Sequence, residues 1–373
     1  MNNNLLRVFE TESDYDSAKP DFVYPTVSYV RDVDEVRYME TPLATPFYIE
    51  ALADGMTVTL DKNDLEYSTD LSTWSALPMN TASPAINNGE KIYLRGNATV
   101  SLGGGRINGI GRFTISQQCN VGGNIMSLLF NDDFEGKTDL TGYNHVFYGL
   151  FLQQPIVNAS ELILPATTLA NNCYSMMFYG CTSLTTAPRI LPATTLTISC
   201  YTAMFQNCTS LNVAPELPAT TIAYECCKQM FYGCTSLTTA PRILPATTLV
   251  EHCYSYMFRD CTSLTTAPAL PATTLAYNCY DSMFRDCTSL TTAPALPATT
   301  LANNCYLYMF YGCSNLNNIT MLATDISASS CLKGWVNNVS STGTFVKNST
   351  LSEETIGRGV NGIPEGWTVV DAE

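Results

Sequence analysis

The sequence predicts an α+β solenoid of stacked, near-identical turns with short parallel strands, preceded by a small all-β domain. Three observations carry that expectation. A unit of 26 or 27 residues recurs through the 373-residue chain, marked by prolines 165, 192, 218, 245, 271 and 297 of LPATTL or LPATTI. Within each copy the apolar residues keep fixed places and follow no single helical or strand period, as they must when every turn feeds one shared core. Upstream, FYIEALADGMTVTLDKNDLEYSTDLSTWSAL and NNGEKIYLRGNATVSL alternate apolar and polar residues between turn signals, the pattern of half-buried strands.

The leader, 1–45, is acidic and spaces aromatics through DFVYPTVSYVRDVDEVRYME, so a docking or assembly segment is expected there, with an irregular edge of the β-domain as the plainer alternative. The β-domain is expected over 46–120. Its SLGGGRINGIG opens no strand–helix unit, so Gly103–Gly105 are expected in a hairpin or loop and not in a phosphate site. Residues 121–163 read as a linker and a worn first repeat, with Phe151 in the place of the repeated Phe and Gln154 in that of a repeated Cys.

The repeats proper run from 164 to 340. Their ladders are Met-Phe (177–178, 204–205, 230–231, 257–258, 283–284 and 309–310), the Leu184 column and the Leu169 column. LTTAP is expected to form one short strand per turn, stopped by Pro188 and its counterparts, because proline donates no ladder hydrogen bond. The stretch from LPATTL to the second Cys is expected to be a short helix or helical turn. Residues 341–373 are expected to cap the array: Cys331, Leu332 and Trp335 echo one more turn, and Trp367, Val369 and Val370 imply a closing strand.

Twelve of the fifteen cysteines form pairs eight apart, from 173/181 to 305/313. Zinc would require closer spacing and histidine partners, and the chain has only His145 and His252. Disulfides within each turn and two columns of buried thiols both remain open; the chain's start shows no export signal, which favours the thiols.

Net charge is −15, with fifteen acids against five bases in 1–75 but six against five in 164–313. Nothing here neutralises phosphates, so nucleic acid is not an expected partner. No run of 18 apolar residues predicts a membrane span. Cofactors and metals are not expected.

The pattern MF-x-x-C-T-S-L-T-T-A-P-x-L-P-A-T-T-L resembles the BspA-like leucine-rich repeat, in a variant similar to that of proteins of Bacteroides-type bacteria and their phages. The resemblance covers about 145–340. It implies a leucine-rich-repeat solenoid, a surface-binding role and no catalytic residues. YSTDLSTW and GEKIYLRG resemble a β-domain that precedes such repeats, and 343–370 resembles their closing segment. The leader resembles the leading segment of virion proteins of these phages. These resemblances imply a non-enzymatic virion appendage or decoration (capsid or tail fibre), made in the host cytoplasm, docked on other virion proteins through 1–45, and adhering to a host surface glycan or protein. A bacterial cell-surface adhesin and a purely structural virion component are the alternatives; either setting is compatible with a homo-oligomer.

Residues 253–278 and 279–304 are near-copies that differ at Ser255-Tyr256 against Asp281-Ser282 and at Tyr277 against Asn303. Across all units, variation concentrates in the pair before the first Cys and around Met-Phe. Tyr179, Tyr232, Tyr256, Arg259, Arg285, Tyr308 and Tyr311 are therefore the candidate ligand-binding residues, of types suited to recognition. Relaxed constraint at exposed positions is the plainer account. Asp260 and Asp286 recur in adjacent turns, as paired catalytic carboxylates would, but Arg259 and Arg285 beside them favour an ion ladder.

Overall fold

The computed structural model describes residues 45–97 and 109–372, together with the backbone of three upstream strands. Those strands are β1 (Leu6–Phe9), β2 (Thr26–Val30) and β3 (Glu35–Met39). β2 pairs parallel with β1 and antiparallel with β3. The remainder of the expected docking segment, and the Gly103–Gly105 loop, lie outside the described residues.

Burial alternates along β8 (Lys91–Arg95) as its apolar–polar alternation requires, since successive side chains face opposite ways, whereas β4 (Tyr48–Ala51) buries all but Glu50 and β6 (Leu65–Ser68) buries only its two ends. With β7 (Ser75–Leu77), β10 (Cys119–Asn124) and β11 (Ile156–Ile163) they form one sheet in the order β11-β10-β4-β8-β6-β7. β5 (Val58–Leu60) pairs separately with β9 (Phe113–Ile115). β10 runs across position 120 and pairs parallel with β11. Asn158 of β11 in turn bridges Thr186, the first rung of the repeats. The upstream sheet and the repeats thus share hydrogen bonding, and a single apolar core runs from Phe47 to Trp367.

Within each repeat, the stretch expected to be helical is a run of turns. Every fourth residue has positive φ: Asn172, Met176 and Gly180 in one copy, Glu225, Gln229 and Gly233 in another, Asn304, Tyr308 and Gly312 in a third. A left-handed residue at that interval breaks the i→i−4 ladder and turns alternate N–H groups along the stack. Thus Cys173, Ser175, Met177 and Tyr179 donate back to the carbonyl three residues earlier, while Asn172, Tyr174, Met176, Phe178 and Gly180 donate to Ile198, Cys200, Thr202, Met204 and Gln206 of the next repeat. Eight tiers, beginning with His145 and ending with Asn338, carry this spacing. Among the described residues the α-helices are single turns outside the repeats, Ser127–Phe130 and Glu353–Ile356. The helical element of the expected α+β class is thereby corrected to a mostly sheet and turn, solenoid-like repeat stack.

The LTTAP strand is shorter than expected. It pairs parallel, but as single bridges: Thr186 to Val213, Val213 to Thr239, Thr239 to Thr266. The following Ala-Pro bends the chain toward further bridges, Ile190 to Glu216 and Thr195 to Thr221. Full strands return only at the C-terminal end. There β12 (Asn318–Met321), β13 (Thr344–Lys347) and β14 (Thr368–Asp371) lie parallel.

Inside the turns the ladders are buried. Phe178, Phe205, Phe231, Phe258, Phe284 and Phe310 are fully buried and stack at 5.3–5.7 Å with planes within 8°. Phe151 continues this column upstream to Phe113 and Phe47. Trp335 closes it at 6.1 Å from Phe310, its indole N–H donating to Gly362 O at 2.9 Å. A second aromatic column, Tyr174–Tyr201 and Tyr254–Tyr280–Tyr306, follows the first Cys and is interrupted by Cys227.

All fifteen cysteines are buried and unpaired. The second Cys column is hydrogen-bonded in register: Cys181, Cys208, Cys234 and Cys261 donate to the carbonyls of Phe151, Phe178, Phe205 and Phe231 at 2.9–3.1 Å. Burial pushes the thiols of Cys173, Cys181, Cys234 and Cys279 up to about 12, so they act as small apolar residues and not as nucleophiles.

Two measurements test this geometry. In a helix, Gln229→Gly costs about 1 kcal/mol and Gly233→Ala gains a similar amount. With left-handed backbone at both (φ 58 and 74) and Asn207 Oδ1 occupying the space of a Gly233 Cβ, the signs invert. Denaturant midpoints are expected to show Gln229→Gly neutral or stabilising and Gly233→Ala destabilised by roughly 1–3 kcal/mol; the helical signs would refute the turn column. For the thiols, a disulfide reagent should label none of the fifteen in the native protein and all of them in concentrated guanidinium. Fast native labelling, or an incomplete count after unfolding, would contradict the buried columns.

Candidate functional site

The turn column has a core side, occupied by the Cys, Tyr, Met and Phe ladders, and an outer side where the repeats differ. Tyr179, Tyr232, Tyr256, Arg259, Arg285, Tyr308 and Tyr311 all lie on this column, each half-buried. The position after each Phe forms one file along successive tiers, including Tyr232, Arg259, Arg285 and Tyr311. Tyr256 and Tyr308 occupy the middle left-handed position of their tiers, at φ 60 and 51. The Tyr308 ring takes its place because Gly334 in the next tier has no Cβ; one there would stand 2.5 Å from Tyr308 Cε1.

Six of the seven candidates come together. The Arg259 guanidinium lies 5.4 Å from the Tyr232 ring and 5.8 Å from Tyr256. Arg285 lies 4.6 Å from Tyr311 and 5.8 Å from Tyr308, and those two rings meet edge to face at 6.0 Å. These are cation–π distances. Tyr179 stands two tiers before Tyr232 and joins no ring or cation contact among the described residues.

Each arginine also has its own carboxylate: Arg259 Nε to Asp260 Oδ2 at 3.8 Å, Arg285 Nε to Asp286 Oδ2 at 3.3 Å. Burial raises the Asp260 carboxyl above its ordinary range, the Arg259 charge opposing the shift and Asp286 adding to it. Asp281, which sequence reasoning did not single out, is 4% exposed at the centre of the group. It accepts from the Ser282 hydroxyl at 2.8 Å, and burial raises its carboxyl too. The signal for it was present, since Ser255 against Asp281 is among the few differences between two near-copies.

A second aromatic file was also missed. His252 lies edge-on between Tyr224 and Tyr277, at 5.8 and 5.4 Å, with both tyrosines 43% exposed. Its Nδ1 is 3.4 Å from Ser255 Oγ, whose hydroxyl donates to Asn278 O in the next tier. The arrangement offers aromatic faces, guanidinium planes and carboxylates on one surface. Among the described residues no group of three His, Cys, Asp or Glu side chains could hold a metal ion, and no helix is long and apolar enough to cross a membrane.

The raised Asp281 carboxyl gives a pH test. A group with a raised folded-state pKa contributes stability that is full below its unfolded pKa and lost as pH rises through the folded one. Ionised Asp281 is therefore a burden near neutrality. Asp281→Asn is expected to raise the denaturation midpoint near pH 7, the gain shrinking as pH falls toward the ordinary carboxylate range. A loss at neutral pH that persists into acid would show that the carboxylate's hydrogen bonds outweigh its burial.

With this geometry in view, comparison with known proteins is specific about the repeats. A family model described as a BspA type leucine rich repeat region, in six copies, matches residues 171–317 and 228–355. Among curated proteins and among solved structures, nothing matches the chain. The matched span holds the turn column from Asn172 to Asn338, its Phe and Cys ladders and every one of the clustered candidates. Residues 171–355 of this chain are a BspA-type leucine-rich repeat region.

Proposed function

We propose that the chain is a non-enzymatic adhesion protein whose leucine-rich-repeat solenoid presents the outer side of its turn column to a ligand on another surface. A repeat region of this type points to a protein-interaction or adhesion module. The observation that carries the reading further is a contrast within each tier. Met, Phe and Cys recur while the outer positions change, and those changes gather Tyr232, Tyr256 and Arg259 into one cation–π triad and Arg285, Tyr308 and Tyr311 into another on the neighbouring tiers. Tyr supplies large contact area at low cost in side-chain entropy, and Arg supplies a planar cation that stacks on aromatic faces.

In this reading the strands of 46–120 form a small β-domain that carries the solenoid of 164–340, between the cap repeat of 121–163 and the closing segment 341–373. The setting we infer is a phage particle, docked through 1–45 and reaching a host surface. Its support is the resemblance of the leading segment alone.

The test compares two full-length variants for attachment to Bacteroides-type cells. One replaces Tyr232, Tyr256, Tyr308 and Tyr311 with Ser, a residue the middle left-handed position already carries at Ser282. The other replaces the exposed Thr220, Thr247, Thr273 and Thr299 with Ser. With unfolding midpoints matched, the Tyr variant is expected to lose attachment by about tenfold or more and the Thr variant none. Loss confined to the Thr variant would move the contact surface off the turn column.

A further inference from the structure

We infer that the ligand of this face is a neutral polyhydroxylated chain, a glycan without sulfate, phosphate or carboxylate groups, lying along the stack axis. The inference rests on the binding reading above and names its ligand class.

Charge is the first ground. The cluster's two guanidinium groups, Arg259 and Arg285, face three carboxylates, Asp260, Asp281 and Asp286, each arginine with one carboxylate at its own Nε. The net sign of these five groups is negative, in a repeat region (164–313) of six acids against five bases. An anionic glycan would meet like charge on both arginine-bearing tiers and would have to displace an existing ion pair to reach an arginine.

Shape is the second ground. Tyr232, Arg259, Arg285 and Tyr311 occupy one position on four successive tiers, so their side chains repeat at about the 4.8 Å spacing of hydrogen-bonded neighbours. That step is close to the length of one sugar residue in an extended chain. Rings and guanidinium planes give the apolar faces of sugars a stacking surface, and carboxylates paired with arginine give hydroxyl groups both acceptors and donors. Tyr224 and Tyr277, with His252 between them, extend the aromatic surface sideways.

Composition is the third ground. Among the described residues the exposed large aliphatic side chains, Leu52, Leu71, Met79, Ile198, Val213, Val360 and Val370, all lie outside the cluster. The face offers rings, guanidinium planes and carboxylates, a mixture that suits hydroxyl groups set beside C–H faces.

The experiment measures attachment of the full chain to cells pretreated with periodate, which cleaves vicinal diols, or with trypsin, with neutral dextran and dextran sulfate as competitors. Periodate is expected to cut attachment by about tenfold or more. Trypsin is expected to leave it unchanged, and dextran sulfate to compete no better than dextran. Attachment that survives periodate but not trypsin would overturn the inference in favour of a protein receptor, and preferential competition by dextran sulfate would overturn it in favour of an anionic glycan. The Tyr variant separates the two readings. If it attaches like the parent, the binding face itself is wrong; if it fails to attach while attachment is trypsin-sensitive, only the ligand class is wrong.

Discussion

The rest of the structure depends on one backbone arrangement: a left-handed residue at every fourth position of the turn column. Each such residue, where it is not glycine, costs about 1–2 kcal/mol. In exchange, alternate N–H groups point along the stack, and each of the well-formed tiers makes five hydrogen bonds to the next. At a net 0.5–1.5 kcal/mol apiece, these bonds roughly offset the strain of three left-handed positions. Backbone terms therefore set the geometry without supplying much stability, and the net gain comes from apolar ladders that bury about 1.5–3 kcal/mol per large side chain.

This constraint explains the shape of the core. A hydrogen-bonded step along the stack places like residues over like, so rings must stack and thiols must find partners at the same step. The phenylalanines meet both demands, stacking face to face while their carbonyls accept from the cysteines. Cysteine suits the second column because it is small, apolar and still able to donate one weak hydrogen bond. At the ends, where stacking stops, larger groups take over: the sheet upstream shares Phe47, Phe113 and Phe151 with the column, and Trp335 covers its last ring.

The same constraint leaves the outer side of the column free. Side chains there need only tolerate their backbone, so His, Ser, Glu, Gln, Tyr and Asp all occupy left-handed positions. Variation between tiers can build a recognition surface without altering the core. The glycine of one tier even makes room for its neighbour, as Gly334 does for Tyr308 and Gly312 for the Asp286 carboxylate. The scaffold is periodic and its surface is not, which suits it to carry a binding face.

The sequence by itself determined the repeat, its period, the Met-Phe, Leu and Cys ladders and the file of Tyr and Arg positions, because each is a matter of which residue recurs at which interval. It also held a sign of the left-handed backbone, in Gly180, Asn207, Gly233, Asp260, Asp286 and Gly312 before each second Cys. That sign was masked by Met176, Gln229 and Tyr256, which have no such preference and read as helical. Only tertiary structure decided between helix and turns, since the bonds that favour turns are made to another tier and have no local signature. The site follows the same division. Tyr and Arg are legible as exposed types, whereas Asp281 and His252 gain their roles only when the next tier brings Tyr256, Tyr224 and Tyr277 beside them.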